Sequence, residues 1–213
     1  MITKNSLMGK YRQIRRRAES RTAFFERVGK KGGNGLFEEL VFCILTPQSK
    51  ARSCDRAVLE LKASGLLYNG NRRQIAKMLS KGVRFHNNKA EYVVEAREKL
   101  SGNGFSRLFE LTFEGDEKEA RERLVGEVRG IGLKEASHYL RNVGRGKKIA
   151  ILDRHILKNL CSCKVIACVP KSLTAKKYFE IEKKMEAFSK KSRVPMPHLD
   201  FVFWSEETGE IFK

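Results

Sequence analysis

The sequence contains no apolar run approaching the roughly 20 residues needed to span a bilayer. Its opening stretch, MITKNSLMGKYRQIRRRAESR, carries no apolar segment of the secretory kind. A membrane-spanning or exported protein is therefore not expected. Cysteine is sparse and odd in number: Cys43, Cys54, Cys161, Cys163 and Cys168. A secreted disulfide framework uses an even set, so reduced, structural thiols are expected. CSCKVIAC groups three of them without an obvious fourth ligand, which is weak support for a metal. Only four prolines occur, at 47, 170, 195 and 197, and period-2 alternation over the length of a strand is hard to find. There is no internal repeat and no low-complexity tract. Negative charge is short: 25 acidic residues face 44 basic ones, a formal net charge of +19. Basic balance on that scale suits a polyanion, and nucleic acid is favoured over a membrane surface or a solubility device.

What is present reads as helix nearly throughout. A chain of 213 residues makes one ordinary domain or two closely packed lobes and can bury a real core. LFEELVFCIL, which contains Cys43, is apolar nearly all round and predicts a buried helix. Helical spacing recurs in Tyr92, Val93, Ala96 and Leu100, in Leu124, Val125 and Val128, and in Ala136, Tyr139, Leu140 and Val143. It returns in Ile156, Leu157 and Leu160, then in Tyr178, Ile181, Met185 and Phe188. Glycine clusters at 29–35, 102–104 and 144–146 mark the expected gaps. The basic run from Lys10 to Arg21 predicts a helix with a solvated face.

The stretch VRGIGLKEASHYLRNVG, Val128 to Gly144, reads as the end of one helix, a tight hairpin and a second helix. Gly130 and Gly132 are expected to adopt backbone conformations that side chains forbid and to let a neighbour approach. Free amides at the second helix's entrance, together with its macrodipole, would bind a phosphate without reading a base. On this fragment alone, a plain glycine turn explains the pattern equally well. Beyond the turn, Lys134 stands in the first helical turn, and Asp153 follows 19 residues later in AILDRHILKNL.

Gly130, Ile131, Gly132, Lys134 and Ala136, followed by Leu152, Asp153 and His155, resemble the helix-hairpin-helix superfamily of DNA base-excision glycosylases. FEELVFCILTPQSKARSCDRAV resembles the helix-loop-helix that meets the damaged duplex in that superfamily. VRFHNNKAEYVVEARE and LDFVFWSEETGEIFK resemble the archaeal-type (type 2) 8-oxoguanine DNA glycosylase/lyases, and the likeness runs from about Leu36 onward. It implies an all-α, two-lobed fold with DNA across the cleft and the active site between the lobes. Lobe one would span about 36–113, lobe two about 1–35 plus 114–213, and the hairpin 124–143. The implied partner is double-stranded DNA containing 8-oxoguanine or abasic sites. The implied setting is a monomer in the cytoplasm, nucleoid-associated in a prokaryote, with no membrane partner. Endonuclease III-type members carry a four-cysteine iron–sulfur loop near the C-terminus. No cysteine follows Cys168, so no such cluster is expected. No cofactor is required. A structural Na+ or K+ could sit on hairpin carbonyls, here those of Gly126, Val128 and Ile131.

The chemistry asks for an amine and a carboxylate. An amine that attacks C1′ of the deoxyribose forms a Schiff base with the opened sugar and promotes β-elimination of the 3′ phosphate. Lys134 supplies the amine, and the helix entrance disfavours its ammonium form. Asp153 would stabilise positive charge as the sugar becomes oxocarbenium-like and would orient the lysine; it also reads as an N-cap before RHILKNL. By the resemblance, His155 should lie near a phosphate beside the lesion. Adenine-removing relatives lack the catalytic lysine, which is present here.

Reaching the base requires taking it out of the stack. By the resemblance, Gln48 in TPQSKA belongs to the loop that fills the gap, although Pro47 beside it also suits a plain turn. By the resemblance, Phe85 and Trp204 are candidates for stacking on the flipped base, although aromatics are more often core than pocket. Guanine and 8-oxoguanine differ at N7, an acceptor in guanine and a donor in the oxidised base, so a discriminating pocket needs an acceptor there. The tail WSEETGEIFK resembles a pocket-closing C-terminus, with main-chain carbonyls, the terminal carboxylate of Lys213, and Asp200 upstream as candidate acceptors. The Lys213 side chain would balance the terminal charge. Two other readings stand beside this one: a non-catalytic helix-hairpin-helix DNA-binding module, and a glycosylase of the same superfamily with another damaged base as substrate.

Overall fold

The computed structural model describes residues 2–213, and among them every regular element is a helix. α1 (Lys4–Lys31) is followed by α2 (Gly33–Leu45), α3 (Ala51–Ala63), α4 (Leu66–Asn69), α5 (Arg72–Leu79) and α6 (His86–Leu100). Then come α7 (Gly102–Phe113), α8 (Glu117–Glu127), α9 (Leu133–Asn142), α10 (Arg154–Ser162), α11 (Ala175–Ser192) and α12 (Met196–Thr208). No helix among the described residues is long and apolar enough to cross a membrane.

α2 is the centre of the first core, and Leu36 and residues 40–45 are all fully buried. This is the apolar-all-round helix of the sequence, and α3, α6, α7 and α9 surround it. The first cluster runs from Leu36 to Ile149 and takes in Ala120 and Leu124 of α8 and Ala136, Tyr139 and Leu140 of α9. The cores therefore divide near residue 150. α8 and α9, expected in lobe two, pack their apolar faces on the first core instead. A second cluster joins Leu7 and Tyr11 of α1 to Ala150, Leu152 and the inner faces of α10, α11 and α12. A small third cluster of Ala18, Phe25, Phe201 and Ile211 seals α1 against α12 and the C-terminal segment.

The glycine clusters behave differently from one another. At 29–35 helix runs on either side of Gly32 alone, because its left-handed backbone (φ 61°) breaks the chain in a single residue. At 102–104 the first turn of α7 is distorted, with Asn103, Gly104 and Phe105 all at positive φ. Asp116 starts α8 with a capping box, accepting from the amides of Lys118 (2.8 Å) and Glu119 (3.0 Å). The hairpin that follows α8 leads α9 past the first core toward the second.

Candidate active site

The hairpin depends on its two glycines unequally. Gly130 is left-handed (φ 91°), and a Cβ there would overlap the ring of Tyr92 on α6. Gly132 has ordinary extended backbone (φ −110°, ψ −169°), and a Cβ would meet only Glu135 Oε2 at 3.5 Å. The expectation of a forbidden conformation at both positions is thus corrected to Gly130 alone. The Gly132 amide is engaged as well, donating to Glu135 Oε2 at 3.2 Å. Arg129 locks the turn to α6, with its guanidinium 4.9 Å from the Tyr92 ring centre and bonded to Glu91 (2.9 Å) and Glu95 (2.8 Å).

Lys134 follows in the first turn of α9. Its side chain is 25% exposed, and Nζ lies 3.8 Å from Glu135 Oε1, beyond hydrogen-bond reach. The amine therefore has no hydrogen-bond partner among the described residues, and it stands at the positive end of a helix dipole.

Asp153 is delivered by the irregular segment 149–152, and a buried polar network holds that segment. Glu182 of α11 accepts from the Ala150 amide (2.7 Å) and takes both Nη atoms of Arg121 (2.5 and 2.9 Å). The Tyr178 hydroxyl donates to the Ala150 carbonyl (2.5 Å) and reaches Ser137 Oγ on α9 (3.3 Å). The segment bearing the aspartate and the helix bearing the lysine are thereby joined through one tyrosine. Asp153 Oδ1 caps α10, accepting from the Ile156 amide at 2.8 Å, and its second oxygen is left for other work. The N-cap and functional readings of Asp153 are compatible.

Lys134 and Asp153 line one cavity of about 340 Å³ with Gln48, His155, Asp200, Trp204 and Lys213. That volume lies within the roughly 300–1,000 Å³ of small-ligand sites. His155 stands at its rim, edge-on to Trp204 (5.1 Å between ring centres) and 3.6 Å from Glu207. Gln48 sits at a left-handed backbone position (φ 56°) in the loop between α2 and α3. Phe85 is not brought into this wall. It ends the turn before α6 at φ 57°, is 54% exposed, and carries the Arg84 guanidinium over its ring. Phe85 is absent from the residues that line the cavity, against the expectation of a pocket residue.

Two polar cavity residues of α9 were not anticipated. His138 and Arg141 follow Lys134 at i+4 and i+7, on the face that α9 turns to the cleft. Burial, with the Arg141 and Lys134 cations adding to it, drives the His138 imidazole well below its usual range. Arg141 is buried against the rings of Phe25 (5.0 Å) and Phe201 (4.8 Å) and pairs with Asp200 at 3.3 Å. Burial raises the Asp200 carboxyl to about 6 in spite of Arg141, and the Asp153 charge adds to the rise. An i, i+4, i+7 stripe of polar residues in KEASHYLR was the available signal. In a sequence it looks like a solvated face.

The C-terminal segment docks, as its apolar residues suggested. Ile211 is buried, and Phe212 packs on the first core under Arg52. The Lys213 ammonium does not neutralise its own carboxylate. It reaches back to Glu39 (2.9 Å) and Asp55 (2.8 Å) and lies 4.9 Å from the Phe42 ring centre. Burial would depress this lysine, but the two carboxylates override burial and raise it. The side chain is an anchor, and the terminal main chain stays at the cavity.

The hairpin carbonyls fit a monovalent cation. Among the described residues those of Gly126, Val128 and Ile131 accept no hydrogen bond, whereas Lys99 Nζ caps the neighbouring Glu127 carbonyl at 2.9 Å. Carbonyls freed at a helix end are suitable hard ligands.

An all-helical scaffold, a glycine hairpin between two helices, and a lysine sharing a cleft with a capping aspartate define a helix-hairpin-helix DNA glycosylase. The comparisons are narrower. The family model described as 8-oxoguanine DNA glycosylase matches residues 18–194. An 8-oxoguanine DNA glycosylase/AP lyase of Fusobacterium nucleatum is 43% identical over 206 residues, covering 95% of this chain and 94% of that protein. The crystal structure of the Thermotoga maritima 8-oxoguanine DNA glycosylase superposes with a TM-score of 0.88 at 30% identity, covering 99% of this chain and 98% of that one. The Methanocaldococcus jannaschii 8-oxoguanine glycosylase/lyase, solved with a 15mer DNA containing 8-oxoguanine, superposes at 0.85 with 33% identity, covering 97% and 99%. The chain belongs to the 8-oxoguanine DNA glycosylase family.

Proposed function

We propose that this chain is a bifunctional 8-oxoguanine DNA glycosylase/AP lyase that acts on duplex DNA in base-excision repair. The observation that carries the reading is the shared cavity. The family's lysine and aspartate motifs, 19 residues apart in sequence, meet in a space of base-sized order. In the proposed sequence Lys134 Nζ attacks C1′ and the base leaves with its bonding pair. Ring opening then gives an imine, and loss of a C2′ proton expels the 3′ phosphate. Asp153 stabilises the cationic sugar, Gln48 fills the gap left by the flipped nucleotide, and Trp204 stacks on the base. Gly130 and His155 hold the backbone. Asp200 and the main chain of Lys213 are the acceptors available to N7–H. No cofactor enters these steps. A Na+ or K+ on the hairpin carbonyls would stiffen the turn. The protein works as a monomer in the cytoplasm, at the nucleoid of a prokaryote.

The deciding experiment is borohydride trapping on an 8-oxoguanine duplex. Reduction of the imine leaves a covalent protein–DNA adduct, whereas a DNA-binding module would bind tightly and give none. An adduct on an abasic duplex but not on 8-oxoguanine would keep the lyase and assign another base.

The docked tail gives a separate expectation. Deleting residues 210–213 should impair excision of 8-oxoguanine more than cleavage at a preformed abasic site, because an abasic site presents no base to read. Equal 8-oxoguanine activity for the truncated and full-length proteins would remove the tail from the pocket.

A further inference from the structure

Lys89 of α6 is 4% exposed, and among the described residues its ammonium is held by neutral oxygens with no ion pair. A buried ammonium is tolerated only when its protons are engaged. Nζ donates to the carbonyls of Leu45 (2.7 Å) and Pro47 (2.7 Å) and to Ser49 Oγ (3.0 Å). Leu45 is the last residue of α2, whose carbonyl the helix leaves unpaired. Pro47 and Ser49 flank Gln48. One cation therefore ties down the residues on both sides of Gln48 and the helix end from which the loop departs.

Gln48 itself needs such support. Its φ of 56° is uncommon for a residue with a side chain, and such conformations persist where the surroundings over-determine them. Ser49 Oγ also accepts from the Arg84 amide (3.0 Å), so the same clamp reaches the turn that ends at Phe85, itself at φ 57°. Burial lowers the Lys89 ammonium from its ordinary range, as expected where neutral acceptors replace a counter-ion.

We infer that Lys89 is a positioning residue for base eversion, holding the loop 46–50 in the one conformation that directs Gln48 into the vacated stack. The inference rests on the glycosylase reading and on Gln48 as the residue that fills the gap. It separates Lys89 from the chemistry, because Lys134 and Asp153 sit on other elements. Loss of the clamp should matter when an intact nucleotide must be flipped and matter little when the site is already abasic.

The test compares wild type, Lys89→Met, Gln48→Ala and the double variant. Methionine keeps the length and apolar stem of lysine and removes its donors. Excision of 8-oxoguanine in single turnover at saturating enzyme should fall by about tenfold to a hundredfold, the scale of a misplaced group. Borohydride trapping on a preformed abasic duplex should stay within about twofold, since its chemistry needs no base eversion. Gln48→Ala should add almost nothing in the Lys89→Met background, because residues acting as a unit are non-additive. Proportional losses on the two substrates, or fully additive losses in the double variant, would overturn the inference and leave Lys89 a purely structural role. If Lys89→Met does not fold, Ser49→Ala removes one acceptor and is expected to show the same split between substrates; an unchanged excision rate in that variant would also overturn it. A wild-type protein that cannot excise 8-oxoguanine from the same duplex would overturn the glycosylase reading, a result distinct from any pattern among the variants.

Discussion

Lys134→Gln should lose borohydride trapping and strand cleavage on both 8-oxoguanine and abasic duplexes, by roughly a thousandfold or more, as when a covalent nucleophile is removed. Glutamine has a similar reach and keeps the entrance of α9 helical, but its amide nitrogen has no available lone pair for attack at C1′. Duplex affinity should change only a few-fold, because one contact among many phosphate contacts is lost and the chain carries 44 basic residues. The geometry singles out this amine among the cavity's cations. Lys213 Nζ also borders the cavity but is fixed between Glu39 and Asp55, and Arg141 cannot form an imine. Lys134 has only a long approach to Glu135. It stands at the entrance of α9 and lines the cavity together with Asp153. Trapping at close to wild-type yield in the variant would show that another lysine or the N-terminus is the nucleophile.

The second large effect is expected at Asp153→Asn. Asparagine is as good an N-cap as aspartate, so its Oδ1 can keep the bond to the Ile156 amide, now 2.8 Å. Stability should therefore fall by no more than about 1 kcal/mol, a shift of about 2–4 °C in Tm for a chain of this size. Excision of 8-oxoguanine should fall by about a hundredfold to a thousandfold, the cost of one aimed electrostatic stabiliser. The carboxylate charge is the only property the change removes. Asp153→Ala, which loses cap and charge together, should match the asparagine variant in excision while melting lower. An asparagine variant with wild-type excision would leave Asp153 only its structural duty, and the developing sugar cation would need another carboxylate, with Asp200 the other one that lines the cavity.

These expectations use residues that could be read from the chain before any coordinates. Gly130, Lys134 and Asp153 belong to a local pattern in which each residue type follows from backbone geometry or reaction chemistry. The helices were legible for a similar reason. An apolar stripe such as Tyr178, Ile181, Met185 and Phe188 can be buried only at helical spacing, and all four are buried on α11. The lobe boundary was less legible. α8 is short and strongly charged, and which core it joins depends on the hairpin's direction rather than on its own composition.

The sequence by itself determined an all-helical chain with a large positive charge, a glycine turn and an amine–carboxylate pair, because these depend on periodicity, side-chain chemistry and spacing along one strand of backbone. Tertiary structure alone decided which polar residues are dry. His138 and Arg141 on the cleft face of α9, Lys89 under the Gln48 loop, and Lys213 between Glu39 and Asp55 all have the composition of ordinary surface residues. Each becomes functional material through contacts between segments far apart in the chain. Phe85 is the converse, an aromatic that composition would bury and that a left-handed turn leaves half exposed. The physical reason is common to all five residues. Burial and pairing are properties of the packed arrangement, and a one-dimensional pattern records only the period with which a residue faces inward or outward, not what it meets there.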